Sequence, residues 1–129
     1  MSVARPTARI LIVDDDEFAR EVIGSLLRRA VPHATILAAA RGEAGLQLYR
    51  SERPEVVITD LRMLGMSGGE LIQAIRAEDA TTPVFAITGA PDPQPVPGAT
   101  EVIQKTEFRT LIARVVELLR APDLKVQPS

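Results

Sequence analysis

The stretch ILIVDDDEF, residues 10–18, joins a continuous apolar run to four consecutive acids. Ile10, Leu11, Ile12 and Val13 include no polar residue, as expected of a strand buried on both faces. Asp14, Asp15, Asp16 and Glu17 follow at its carboxyl end. Two carboxylates about 5 Å apart repel by roughly 3 kcal/mol at an effective dielectric of ~20. Open water or a bound cation has to offset that repulsion. Beyond the acids, Phe18, Val22 and Leu26 recur at every fourth position, with Ala19, Ile23, Leu27 and Ala30 beside them. That is the apolar stripe of a helix over residues 18–31.

The same alternation continues along the chain. ATILAAA (residues 34–40) reads as a second strand, and GEAGLQLYRSER (residues 42–53) as a helix ended by Pro54. EVVIT (residues 55–59) reads as a third buried strand. After the loop LGMSG, Ser67 and Glu70 have the spacing of a capping box, opening a helix through Leu71, Ile72 and Ile75. PVFAIT (residues 83–88) and TEVI (residues 100–103) are the fourth and fifth strands, and Phe108 through Leu119 carry the last helical stripe. Such alternation predicts an α/β fold, a doubly wound five-stranded parallel sheet with helices on both faces. One interval breaks the pattern. Pro91, Pro93, Pro95 and Pro97 fall at every second position in GAPDPQPVPGA. Each lacks a backbone donor and obstructs a helical turn, so the fourth helix is expected to be degenerate or replaced by a Pro-rich loop with few internal contacts to keep it fixed.

Gross properties exclude several classes. The 129 residues suit one domain, here residues 9–120, with residues 1–8 as an N-terminal extension and residues 121–129 as a C-terminal tail. The formal net charge of −2 offers no basic field for nucleic acid or membrane. The absence of cysteine rules out disulfides and thiolate metal sites. The apolar runs are too short to span a bilayer, and MSVARPTAR lacks the apolar centre of a signal peptide, so a cytoplasmic protein is expected.

Ligands of open parallel sheets collect beyond the carboxyl ends of the strands. Asp14 and Asp15 end the first strand, Asp60 the third and Thr88 the fourth, and Lys105 follows the fifth. A hard cation takes oxygen ligands, and magnesium uses one or two carboxylates while keeping water and phosphate oxygens. This set resembles the receiver domain of bacterial two-component response regulators, of the stand-alone, flavodoxin-like type. VDDDE matches its acidic pair, VVITDLRMLGMSGGEL its phosphoacceptor strand and loop, VFAITG its hydroxyl and VIQK its lysine. The resemblance implies a phosphoprotein rather than an enzyme. Asp60 would accept a phosphoryl group from a sensor histidine kinase or phosphotransfer protein, or from a small donor. Mg²⁺ would be held by Asp15, Asp60 and the backbone carbonyl of Arg62, with Asp14 acting through water. Lys105 and the Thr88 hydroxyl would each contact the phosphoryl oxygens, and a downstream protein would read the result. On this reading Asp16 and Glu17 start the first helix, where the macrodipole favours acids.

The chain departs from that family at four points. Leu64 and Thr106 stand where proline is usual, Val102 where an aromatic switch residue is usual, and the proline run where a helix is usual. A cis Lys105–Thr106 bond, in imitation of the family's lysine–proline bond, would cost ~3–4 kcal/mol. His33, the only histidine, reads as a surface loop residue. Tyr49, Met63 and Met66 read as packing, and Arg28 and Arg29 as solvated cations at a helix end. A dehalogenase-like phosphatase could use Asp14 and Asp16, but the chain lacks a late acidic pair after Lys105. No Gly-rich turn follows the first strand, which disfavours a dinucleotide enzyme. The stronger alternative is a receiver-like adaptor that binds partners without phosphorylation.

Overall fold

In the computed structural model, which describes residues 8–120, five strands alternate with four helices. The strands are β1 (Arg9–Val13), β2 (Thr35–Ala39), β3 (Val56–Asp60), β4 (Val84–Thr88) and β5 (Glu101–Gln104). The helices are α1 (Glu17–Ala30), α2 (Gly42–Glu52), α3 (Gly68–Glu78) and α4 (Phe108–Arg120). All strand pairs are parallel, in the order β2-β1-β3-β4-β5. The doubly wound fold expected from the apolar alternation is therefore present, with element ends displaced by a residue or so. The extension, apart from Ala8, and the C-terminal tail lie outside the described residues. Among the described residues no helix is long and apolar enough to cross a membrane.

Successive strand residues point to opposite faces, and the sheet buries both. Ile10, Ile12, Val56, Ile58, Phe85, Ile87 and Ile103 pack with Ile23 and Leu27 of α1 and Leu111 and Val115 of α4. Leu11, Val13, Val57, Val84 and Ala86 pack on the other face with Tyr49 of α2 and Leu71, Ile72 and Ile75 of α3. This is why the central strands read as unbroken apolar runs rather than alternating ones.

The helix starts follow local chemistry. Asp16 caps α1, its carboxylate accepting the Phe18 N–H at 3.0 Å. Ser67 and Glu70 form the expected capping box on α3. At the far end of α3, Asp79 gathers the backbone N–H groups of Thr81 and Thr82, both of their hydroxyls and the Tyr49 hydroxyl. The hydrogen bond from the Thr82 hydroxyl leads the others in holding the Asp79 carboxyl far below the usual carboxylate range. Its contribution to stability is complete at neutral pH and is lost as acid protonates it. Tyr49 is thus fully buried packing, as expected, with its hydroxyl anchored. His33, Arg28 and Arg29 are exposed.

No helix forms over residues 89–100. The C-terminal end of the Pro-rich loop is tied down. Gln73 donates to the Pro97 carbonyl at 2.9 Å and Arg76 to the Gly98 carbonyl at 2.8 Å, which ties the loop to α3. Gly98 takes φ +85° there, with a Cβ position only 2.9 Å from Ile72, so both conformation and space call for glycine. Val96, Ala99 and Val102 pack against the α3 face of the sheet. The prolines exclude a helix, and α3 supplies donors to two carbonyls at the end of the loop that no helix satisfies.

Gly68 marks the tightest approach between an element and the acidic rim. A Cβ there would lie 2.0 Å from the Asp60 carbonyl oxygen and 2.7 Å from the Leu61 Cα. Neither backbone atom can yield without moving the end of β3. Gly68→Ala is expected to lower stability by about 2–3 kcal/mol. Gly69→Ala, whose added carbon meets only Ser67 Oγ at 3.9 Å, should stay within about 0.5 kcal/mol of wild type or exceed it. Urea midpoints of the two variants provide the check.

Candidate functional site

The parallel sheet brings the expected residues to one edge. β1 ends at Val13 beside β3, so Asp14 and Asp60 emerge from adjacent strands. Asp14 is fully buried and Asp60 is 5% exposed. Asp15 is exposed in the β1–α1 turn. One carboxylate oxygen from each of Asp14, Asp15 and Asp60 lies within 4.8 Å of the others. Lys105, just beyond β5, reaches in from the opposite side. Its Nζ is 2.9 Å from Asp14 Oδ2 and 3.5 Å from Asp60 Oδ2. Thr88 ends β4, and Arg62 lies exposed in the loop after Asp60. The Lys105–Thr106 bond is trans, since no described peptide bond is cis.

Backbone donors hold the carboxylates in place. Asp14 Oδ1 accepts the Asp16 N–H at 2.9 Å, Asp60 Oδ1 the Leu61 N–H at 3.0 Å, and Asp15 Oδ2 the Leu64 N–H at 3.4 Å. The last of these is long and weak. Thr88 Oγ1 accepts the Ala90 N–H at 3.1 Å. Lys105 N donates to the Thr88 carbonyl at 2.7 Å, which fixes the lysine against the end of β4.

Three residues that sequence reading did not single out support this edge. Arg20, on the first turns of α1, donates to the Asp14 carbonyl at 2.7 Å. Glu43, at the start of α2, accepts the Met66 N–H at 3.1 Å and so braces the loop after Asp60. Gly68 permits the close approach described above. In sequence Arg20 and Glu43 look like ordinary helix-surface charges, because the Glu43 contact spans 23 residues and the Arg20 contact goes to a backbone atom. The glycine doublet after Ser67 was the one available signal. Met63 and Met66 pack at the α3 face, as expected.

Charge is out of balance here. Burial, reinforced by the Asp14 carboxylate, pushes the Asp60 carboxyl up to about 6, while Lys105 and the Leu61 N–H work against the rise. Burial also acts to lower the Lys105 ammonium, but Asp14 and Asp60 more than offset it, and its pKa is raised. Asp14 Oδ2 is buried and receives no directed hydrogen bond, its close partner being the Lys105 charge. Clustered carboxylate oxygens, one of them with spare lone pairs, form the donor set of a hard cation. The residues therefore fit Mg²⁺, with Asp14, Asp15 and Asp60 as the side chains that would hold it.

A carboxyl whose folded-state pKa exceeds its unfolded value opposes folding once it is ionised. Its effect is absent below about pH 4, grows as pH rises towards 6 and is complete at neutral pH. Without metal, Asp60→Asn is expected to raise stability at pH 7 by about 1–3 kcal/mol. The gain should shrink towards zero below about pH 4, where both states carry the proton. Urea unfolding of both proteins in chelator across this range would show it. An equal difference at every pH would contradict the electrostatic origin.

Similarity to known proteins agrees with the geometry. The chain is 33% identical over 118 residues to the transcriptional regulatory protein AfsQ1 of Streptomyces coelicolor, covering 86% of this chain and 51% of that protein. It is 29% identical over 122 residues to a probable C4-dicarboxylate response regulator, DctR, of Priestia megaterium, covering 91% of this chain and 54% of that one. The chain thus spans about half the length of these relatives. Among solved structures, the signal receiver domain of a DNA-binding response regulator from Colwellia psychrerythraea superposes with a TM-score of 0.79 at 29% identity, covering 88% of this chain and 98% of that one. The chemotaxis protein CheY4 of Vibrio cholerae gives 0.77 at 27% identity, covering 87% and 98%. The model of the response regulator receiver domain matches residues 10–116, nearly the whole described fold, and the chain belongs to that family.

Proposed function

We propose that this receiver domain accepts a phosphoryl group on Asp60, with Mg²⁺, from a sensor histidine kinase or phosphotransfer protein in the cytoplasm. A partner protein then reads the modified state by direct contact. The observation that carries this reading is the convergence of three carboxylates at the carboxyl end of the sheet, two of them paired with the Lys105 ammonium. Phosphoryl transfer asks mainly for positioning and for neutralisation of charge on the oxygens.

In the transfer, an Asp60 carboxylate oxygen forms a bond to phosphorus as the phosphorus–nitrogen bond of the donor breaks. The electron pair of that bond leaves on the imidazole nitrogen. Mg²⁺, held by Asp15 and Asp60 with the Arg62 carbonyl and with Asp14 through water, would supply positive charge to the phosphoryl oxygens and favour the ionised Asp60. The Leu61 N–H fixes the Asp60 carboxylate. Lys105 already pairs with Asp14 and Asp60 and can turn its ammonium to an added phosphoryl oxygen. Thr88 can offer its hydroxyl hydrogen to another. Arg20 and Glu43 keep the surrounding loops in register.

Intact mass after treatment with acetyl phosphate and Mg²⁺ tests the acceptor. Wild type should gain one phosphoryl group and Asp60→Asn none. Label on Asp60→Asn at the wild-type rate would move the acceptor elsewhere, and a wild type that stays unlabelled with both small and protein donors would favour the adaptor reading. The metal has its own test. Mg²⁺ should raise the melting temperature of wild type, because only the folded chain has the site, and Asp15→Ala should lose that response. Equal responses in the two proteins would remove Asp15 from the metal set.

A further inference from the structure

Thr88 and Gln104 are register partners across β4 and β5. Side chains of paired residues leave the sheet on the same face. Between them lies Ala90, the second residue beyond β4, whose two flanking peptides each make one of the bonds. Its N–H donates to Thr88 Oγ1 at 3.1 Å, and its carbonyl accepts Gln104 Nε2 at 2.9 Å. A threonine hydroxyl has one hydrogen to donate and two lone pairs. Here one lone pair is occupied by Ala90, and no described residue accepts the hydrogen. That hydrogen is free for an anion arriving at the neighbouring strand end, where Asp60 pairs in register with Ile87.

We infer that Gln104 is a positioning residue for phosphoryl recognition: by holding the Ala90 carbonyl it fixes the backbone of Ala90, whose N–H in turn sets the Thr88 hydroxyl as an acceptor towards the loop and a donor towards Asp60. This rests on Asp60 as phosphoacceptor. Gln104 is half-buried and Ala90 is exposed at the entry to the Pro-rich loop. Without the glutamine amide, nothing else described holds the Ala90 carbonyl, and the N–H on the other side of Ala90 loses its fixed direction. The contact also gives Pro91 and the residues after it a mechanical connection to the site. Val102, two positions earlier on β5, packs inward on the α3 face with Val96 and Ala99.

The test is a double-mutant cycle read by beryllofluoride binding in the presence of Mg²⁺, followed by amide chemical shifts. Gln104→Met removes the donor without adding charge, and Thr88→Val removes the hydroxyl at nearly constant shape. Gln104→Met alone should weaken beryllofluoride binding about fivefold, the worth of one ordinary hydrogen bond. In the Thr88→Val background it should change binding by less than about twofold, because the two act as one unit. Equal weakening in both backgrounds, or none in either, would overturn the inference. Amide exchange provides a second reading without ligand: at Ala90 it should be about tenfold faster in Gln104→Met, with exchange in β4 unchanged. Unchanged exchange at Ala90 would equally overturn it. Failure of the Asp60 reading looks different, since beryllofluoride would then leave the wild type unperturbed or would still bind Asp60→Asn, and the Ala90 exchange would still decide whether the bridge exists.

Discussion

The ammonium of Lys105 stands 2.9 Å from one buried carboxylate and 3.5 Å from another, with Asp15 beside them. Two buried carboxylates, which water screens poorly, therefore face one positive charge, with an exposed third acid adding to the imbalance. The sheet creates this imbalance, since parallel strands deliver all their carboxyl ends to one edge and β1 and β3 are neighbours. Buried faces on either side hold those ends rigid. The molecule cannot relax the repulsion by spreading the acids apart. Raising the proton affinity of Asp60 relaxes it, and a bound cation would relax it too while keeping Asp60 ionised, as the proposed transfer requires.

The same constraint explains how the edge is built. Each acid has backbone donors trained on it, from Asp16, Leu61 and Leu64. The loop after Asp60, which has Leu64 where the family usually has proline, is braced by Glu43. The Pro-rich segment lacks a helix, yet Gln73, Arg76 and Gln104 satisfy three of its carbonyls. Side chains thus replace the backbone hydrogen bonding that the prolines remove.

The fold was legible because its signal is local. Ile10–Val13 and the acids after it announce a buried strand with a charged end, and the helical stripes have the expected period. The site was legible for a related reason: Asp14, Asp15, Asp60, Thr88 and Lys105 occupy equivalent strand ends, so strand assignment alone brings them to one rim. What could not be read depends on contacts distant in sequence and carried by unremarkable residues. Glu43 looks like a helix-start acid, Gln104 like any polar strand residue, and Gln73 and Arg76 like an exposed helix face. The tie at the end of the loop after β4 was hidden for the same reason. The prolines of that loop exclude helix, but nothing in their spacing reports the donors that α3 places beneath them.

The charge imbalance can be measured at its centre by following the Asp60 carboxyl carbon by NMR through a pH titration, with and without Mg²⁺. Without metal the inflection should fall near pH 6, as burial and Asp14 require. With saturating Mg²⁺ it should move below the usual carboxylate range of about 4, since the ion outweighs the neighbouring acids. An inflection near 4 that ignores the metal would contradict the account, because Asp60 would then experience neither the buried carboxylates nor the cation they are arranged to hold.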